Sequence, residues 1–187
     1  MDPHKSLEIE VKFRIKDPVI IAEKLKKLGA KKVSSGFEKN ILFDKNGEIE
    51  KAGDLLRLRS YGGKADITFK KFVPHEKFKV REENIVFIDS FEKGKMLLES
   101  MGFRESRKYE KKRQTFECNG AGILVDELPF MGSFVEIEGT EEKIIEMAGK
   151  LGLDMKDAIT KDYRQLFLEY CKMHGMEGRE LVFGGKK

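Results

Sequence analysis

Three observations predict an α+β fold, an antiparallel sheet with helices packed on its apolar side. The stretch Leu7 to Lys16, LEIEVKFRIK, carries apolar residues at every odd position and charged ones at every even position. That period of two marks a strand buried on one face. The same alternation returns in six further stretches, and capped segments of helical spacing lie between them.

After the first strand, KDPVIIAEKLKKLG reads as a helix with Asp17 as N-cap, Pro18 in the first turn and Gly29 as the stop. Ile21, Leu25 and Leu28 form its apolar stripe. Strands follow near 37–44, 54–60, 65–73 and 77–88, with Gly62-Gly63 as the hairpin turn between the middle pair. Ser90 starts a second helix that stops at Gly102. Strands near 107–118, 121–127 and 133–138 come next, the first two joined by the hairpin signal Asn119-Gly120. Thr140 opens a third helix, with Ile144, Met147, Ala148 and Leu151 on one face. A fourth, over 158–174, places Tyr163, Leu166, Phe167 and Tyr170 at core spacing.

The 187 residues suit one domain, over 1–175, with a loose tail at 176–187. Within it, a shift of 73 positions lays Ile15 on Ile88, Asp17 on Ser90 and Gly29 on Gly102. Two pseudo-repeated halves, 6–73 and 77–139, are therefore expected, the second followed by the C-terminal helices. Under the same shift Glu8 falls on Arg81 and Glu10 on Glu83, so the charged faces of the two halves should meet.

Composition removes several function classes. Lys and Arg total 37 against 33 Asp and Glu, and this mild excess, interspersed with acids, does not suggest nucleic acid. Cys118 and Cys171 have no CxxC spacing and His4, His75 and His174 are scattered, so neither a disulfide framework nor a zinc cluster is expected. The start, MDPHKSLE, lacks an apolar signal core, and no run is long enough to cross a bilayer. A cytoplasmic protein without a membrane partner is the expectation. The 37% charged content also suits the surface ion-pair networks of a thermophile.

The alternating charges carry the functional reading. Arg57 and Arg59 sit in LLRLRS, Lys70 ends DITFK, Arg81 and Glu83 lie in KVREEN, and Lys111 and Arg113 in EKKRQTF. Acids return as Asp126 in ILVDEL and as Glu136 and Glu138 in FVEIEG. Residues two apart share a face, so each pair projects to one side of its strand. The sheet could stay open with that side in water, or close with the charges lining a tunnel and the apolar side chains outward against the helices. A closed, charge-lined interior needs a filling of both signs: a polyanion for the Arg and Lys, and divalent cations for the carboxylates. Those are the parts of a phosphoryl-transfer site that works by positioning and charge neutralisation. No Walker-type loop, GxGxxG or catalytic triad competes, and no nucleophilic side chain is assigned.

Glu8-x-Glu10-x-Lys12 resembles the ExExK signature of the CYTH superfamily, the triphosphate tunnel metalloenzymes. The resemblance continues in order through NILFD, LLRLR, TFK, VREE, KKRQTF, LVDELPFMGSFVEIEG and KDYRQL, and is greatest to the class IV adenylyl cyclase branch. It implies a closed tunnel of eight antiparallel strands, Mg²⁺ or Mn²⁺ as cofactor, and a triphosphate substrate: ATP, tripolyphosphate or thiamine triphosphate. It places Glu8, Glu10, Asp126, Glu136 and Glu138 where metal is bound or oriented. It places Lys12, Arg57, Arg59, Lys70, Arg81, Lys111 and Arg113 where phosphate is gripped, with Glu83 aiming Arg81. One departure is Asp162-Tyr163, where family members often carry Ser-Tyr.

The reading that results is a metal-dependent enzyme on a triphosphate, provisionally an adenylyl cyclase making cyclic AMP and pyrophosphate. The alternative within the same machinery is hydrolysis of the terminal phosphate. A non-catalytic polyphosphate-binding module is the alternative of another class, disfavoured because pure anion binding gains nothing from carboxylates unless metals occupy them. A homodimer is compatible with the outer helices.

Overall fold

The computed structural model describes residues 6–175 and 180–184. Its strands are β1 (Ser6–Ile15), β2 (Lys31–Asp44), β3 (Leu55–Tyr61), β4 (Lys64–Val73), β5 (Lys79–Ile88), β6 (Arg104–Cys118), β7 (Ala121–Leu128), β8 (Gly132–Glu138) and the two-residue β9 (Glu180–Leu181). The helices are α1 (Pro18–Lys27), α2 (Glu48–Lys51), α3 (Phe91–Ser100), α4 (Glu141–Leu151) and α5 (Tyr163–His174). Strands β1 to β8 run antiparallel in the order β2-β3-β4-β5-β1-β8-β7-β6, and pairing of β6 with β2 closes them into a barrel.

The period of two explains the closure. On β1 the odd residues Val11 and Phe13 are buried against helices outside, while Glu10 and Lys12 are buried inside. The outer core lies under α1 and α4, with Ile21 and Leu25 of the one and Ile144, Met147, Ala148 and Leu151 of the other on the β1, β5, β7 and β8 side chains. Burying each such aliphatic side chain contributes roughly 1.5–3 kcal/mol, which stabilises a barrel whose interior is ionic. A smaller cluster joins Leu98 of α3 to Ile41, Phe43, Leu56 and Leu58. A third joins Tyr163, Phe167 and Cys171 of α5 to Leu128, Met131 and Phe134.

Three helix signals act as read, Asp17, Ser90 and Thr140 capping α1, α3 and α4 through their side chains; at α5 a cap the sequence reading did not name, Asp162, forms a capping box with Gln165. Asn119 and Gly120 both take positive φ, 52° and 78°, the pairing that a two-residue hairpin requires.

Several elements differ from the sequence expectation. Strand β2 begins six residues earlier than expected, at Lys31, because the polar Ser34-Ser35-Gly36 stretch is held by its long partner β6 across a register shift between Lys32 and Ser34. Helix α5 starts at Tyr163 rather than near 158, since Met155–Asp157 forms a separate 3₁₀ turn and Ile159 exchanges backbone hydrogen bonds with Lys12. Within the segment expected to be a tail, Glu180–Leu181 pairs alongside β6 and Phe183 packs on Phe37; residues 176–179 and 185–187 lie outside the described residues, as does His4.

Exchanging β1 with β5, β2 with β6, β3 with β7 and β4 with β8 leaves the strand ring unchanged. In the observed registers Glu8 faces Arg81 and Glu38 faces Lys111, both pairs 73 residues apart. No helix of the described residues is long and apolar enough to cross a membrane.

Candidate active site

Each barrel strand turns one set of alternate residues into a cavity of about 380 Å³. Its wall includes Glu8, Glu10 and Lys12 of β1, Arg57 and Arg59 of β3, Lys70 of β4, Glu83 of β5, Lys111 and Arg113 of β6, and Glu136 and Glu138 of β8. Asp126 of β7 lies wholly buried behind this wall. Eleven of the thirteen residues expected from sequence thus line one cavity; Asp126 and Arg81 are the exceptions.

Helix α5 closes one end. Tyr163 donates its hydroxyl to Asp126 at 2.9 Å, and the ammoniums of Lys12 and Lys111 stand 5.3 and 5.1 Å from its ring centroid. Asp126 also accepts from Arg113 at 2.7 and 2.6 Å and from Lys111 at 3.1 Å. Arg113 continues to Glu136 at 2.5 Å, and Glu136 lies 3.2 Å from Lys12. These residues form one paired network in which every charge meets its opposite. Burial alone would raise Glu136, yet Lys12, Arg113 and Lys111 hold it well below the usual carboxylate range.

The carboxylates on the other side are arranged differently. Glu8, Glu10 and Glu138 each bring an oxygen within 4.8 Å of the others. Burial, reinforced by the charges of Glu8, Glu10 and Glu136, pushes Glu138 up to about 8. Glu8 and Glu10 remain ionised: burial acts to raise them, but Lys70 beside Glu8, and Lys12 and Lys79 beside Glu10, outweigh it. Three crowded carboxylate oxygens suit a hard divalent cation, which would relieve their repulsion.

Among the cations, Arg57 is the least committed. It is buried, its Nε has no partner among the described residues, its contact with Thr68 is 3.4 Å long, and it also meets Tyr109. Arg59 binds Asp66 at 2.7 Å, and Lys70 binds Glu8 at 2.8 Å and meets Glu83. Glu83, pushed up to about 7 by burial and its hydrogen bond to Glu8, therefore contacts Lys70 rather than Arg81. Arg81 turns away, donating to the Gly53 carbonyl and approaching Asp162 at 3.8 Å beside a neighbouring cavity.

Sequence reasoning missed several lining or supporting residues. Lys79, 2.6 Å from Glu10, shares the face of Arg81 and Glu83 and was legible by alternation. Glu38, which faces Lys111 at 3.5 Å and is held at about 2 against its burial chiefly by Lys111, Arg113 and Arg57, alternates likewise with Asn40. Tyr163 had no such signal, because a helical aromatic stripe looks the same whether it meets core or cavity. At the mouth remote from α5, Ser34, Tyr61, Ile85, Thr115 and Leu124 line the wall, none of them charged.

Comparison with known proteins gives a consistent picture. The CYTH domain matches residues 6–163, and the chain belongs to that family. A protein of Methanocaldococcus jannaschii named "putative adenylate cyclase" is 28% identical over 173 residues, covering 86% of this chain and 98% of its own. A conserved hypothetical protein of Pyrococcus furiosus has a solved structure that matches with a TM-score of 0.72 at 28% identity, over 85% of this chain and 99% of that one. A Hippeastrum protein, described as a "putative adenylyl cyclase" that reveals a dominant triphosphatase activity, shares the fold with a TM-score of 0.60 at 16% identity, over 91% of this chain and 97% of its own.

Proposed function

We propose that the chain is a Mg²⁺- or Mn²⁺-dependent enzyme acting on a triphosphate inside the barrel, and that it converts ATP to cyclic AMP and pyrophosphate. The observation that carries this reading is the division of one enclosed wall. Three mutually crowded carboxylates, Glu8, Glu10 and Glu138, share the wall with a set of cations led by the buried Arg57 and Lys70 and the half-buried Arg59.

In this reading Glu8, Glu10 and Glu138 hold the divalent metal. When bound, it supplies charge neutralisation on phosphate oxygens. Arg57, with unused hydrogen-bonding capacity, grips a phosphate in the planar fashion of a guanidinium, while Lys12, Lys70 and Lys111 act as point charges along the chain. Arg59 adds a further grip near the open mouth. Arg113 is held by Asp126 and Glu136 and presents a fixed positive wall, and Glu136 also orients Lys12. The preorganised charges need little rearrangement as negative charge builds on the leaving pyrophosphate. The uncharged side chains of Tyr61, Ile85, Thr115 and Leu124 in the same lining suit the nucleoside, leaving its ribose between base and phosphates. The 3′-hydroxyl oxygen then bonds to the α-phosphorus as the bond to pyrophosphate breaks, and the hydroxyl proton is released to solvent.

Hydrolysis of a terminal phosphate is the second reading. It is favoured by the ionic lining that runs on to Arg164 in the first turn of α5, a grip that needs no nucleoside. A product assay with Mg²⁺ or Mn²⁺, offering ATP, tripolyphosphate and thiamine triphosphate separately, distinguishes them. Cyclic AMP with pyrophosphate supports the cyclase, and orthophosphate replaces it with a triphosphatase. Tight metal-dependent binding without product overturns both in favour of a binding module.

A further inference from the structure

A second cavity, of about 450 Å³, lies where three segments converge: the end of α2, the passage from β4 into β5, and the start of α5. Its wall carries Lys51, His75, Lys79, Arg81, Lys161 and Arg164 and, among the described residues, no carboxylate. The tunnel wall, by contrast, mixes both signs. In a chain with 37 Lys and Arg against 33 Asp and Glu, a cavity lined by one sign alone comes from placement and not from composition.

Arg81, 6% exposed, is the most buried of the six. Its backbone stands opposite Glu8 in the register of β1 and β5, yet its guanidinium leaves the tunnel, donates to the Gly53 carbonyl and lies 5.3 Å from the Phe72 ring centroid. It approaches Asp162 only to 3.8 Å, and the Asp162 Oδ2 accepts no hydrogen bond among the described residues. A guanidinium so buried, with so loose a counter-charge, has donors left for a ligand. The acids that meet the other cations stand outside the wall: Glu10 is 2.6 Å from Lys79, Glu50 is 3.2 Å from Arg164 and Glu169 is 2.5 Å from Lys161. The first turn of α5, with Arg164 and Gln165 in the wall, adds the positive end of a helix dipole.

We propose that this cavity is a second anion site, separate from the tunnel, which takes a small inorganic phosphate such as pyrophosphate without a metal ion. Carboxylates are needed only where a metal accompanies the anion, and this wall has none. Arg81 supplies planar, paired donors, while Lys51, Lys79 and Lys161 supply point charges that move to fit the ligand. Lys79 and Arg164 line both cavities, so two anions draw on the same two cations and each weakens the hold on the other. A phosphate product that accumulates therefore loosens the grip on whatever occupies the tunnel. That feedback, unlike the site itself, rests on the triphosphate reading of the tunnel.

Calorimetric titration of the full chain with pyrophosphate, in the presence of a chelator, tests it. Two unequal binding events per chain are expected, of which Arg81→Gln abolishes one and Arg57→Ala the other. Because Arg81 is buried, the exposed Lys161 is the second probe: Lys161→Glu should weaken the same event as Arg81→Gln about tenfold, the scale of one hydrogen bond to a charged group, at an unchanged melting temperature. With the tunnel grip removed by Arg57→Ala, the remaining event should tighten, since Lys79 and Arg164 are no longer shared. A single event in the wild type, or two events indifferent to both Arg81→Gln and Lys161→Glu, overturns the proposal. So does a single event for pyrophosphate beside a Lys161-dependent one for long-chain polyphosphate, which gives the cavity to the tail of one extended anion seated in the tunnel. An event lost in Arg81→Gln and weakened in Lys161→Glu while Arg57→Ala changes nothing supports the site and overturns the tunnel's phosphate grip instead.

Discussion

Asp126 and Glu138 stand on adjacent strands of one barrel, yet their electrostatic situations are opposite. Asp126 is wholly buried and receives four hydrogen bonds, from Arg113 twice, Lys111 and Tyr163. Glu138 makes no ion pair among the described residues, stands within 4.8 Å of Glu8 and Glu10, and is pushed up to about 8 by burial and its acidic neighbours. One carboxylate is fully spent on holding cations in place. The other retains donor capacity that only a proton or a metal can use. Equivalent-looking acids in neighbouring strands can therefore serve as scaffold and as binding group.

The scaffold should fail chiefly by unfolding and the carboxylate trio chiefly by losing activity. The largest effect is expected from Arg113→Ala, which leaves Asp126 and Glu136 buried without their main partner and should lower stability by about 3–5 kcal/mol, read from denaturant melts. Glu10→Gln should reduce turnover about 10²- to 10³-fold, the scale of losing one preorganised electrostatic element, a proportionally larger loss than the stability it costs by removing the charge beside Lys12 and Lys79. Equal losses of turnover and stability in that variant would return β1 to a purely structural role.

Adding Mg²⁺ or Mn²⁺ to the wild type at about a hundred times its dissociation constant should stabilise the fold by about 2.7 kcal/mol, seen as a raised melting temperature. Glu138→Gln should remove most of that increment, whereas a scaffold-only Glu138 would leave it intact. The smallest effect is expected from Tyr163→Phe, which deletes one hydrogen bond to Asp126 while keeping the ring under Lys12 and Lys111, and should cost about 0.5–1.5 kcal/mol in the same melts.

Much of the fold was legible because one local rule governs it. The alternation in LEIEVKFRIK assigned Glu8, Glu10 and Lys12 to one face and Val11 and Phe13 to the other, and the barrel keeps them so. The Asn119-Gly120 turn and the caps at Asp17, Ser90 and Thr140 are equally local and landed where expected. Elements held by distant partners were not legible: β9 exists through its pairing with β6, and the early start of β2 depends on the same long strand. Arg81 shows the limit for side chains, since its strand position matches that of Glu83 but its guanidinium is drawn aside by Gly53 and Asp162.

What the sequence by itself determined is the sorting of faces: which residues point into the barrel, which point out to the helices, and that the interior mixes acids with bases. The physical reason is that side-chain direction along a strand depends only on neighbours one and two residues away. Which acid would meet which base was decided by the tertiary structure alone. Asp126 became scaffold because Tyr163 of α5 and Arg113 of β6 converge on it, and Glu138 stayed open because Glu8 and Glu10 of β1 stand beside it across some 130 residues of chain. A carboxylate's charge state and use follow from distances of a few ångströms, and those were set when the ring closed.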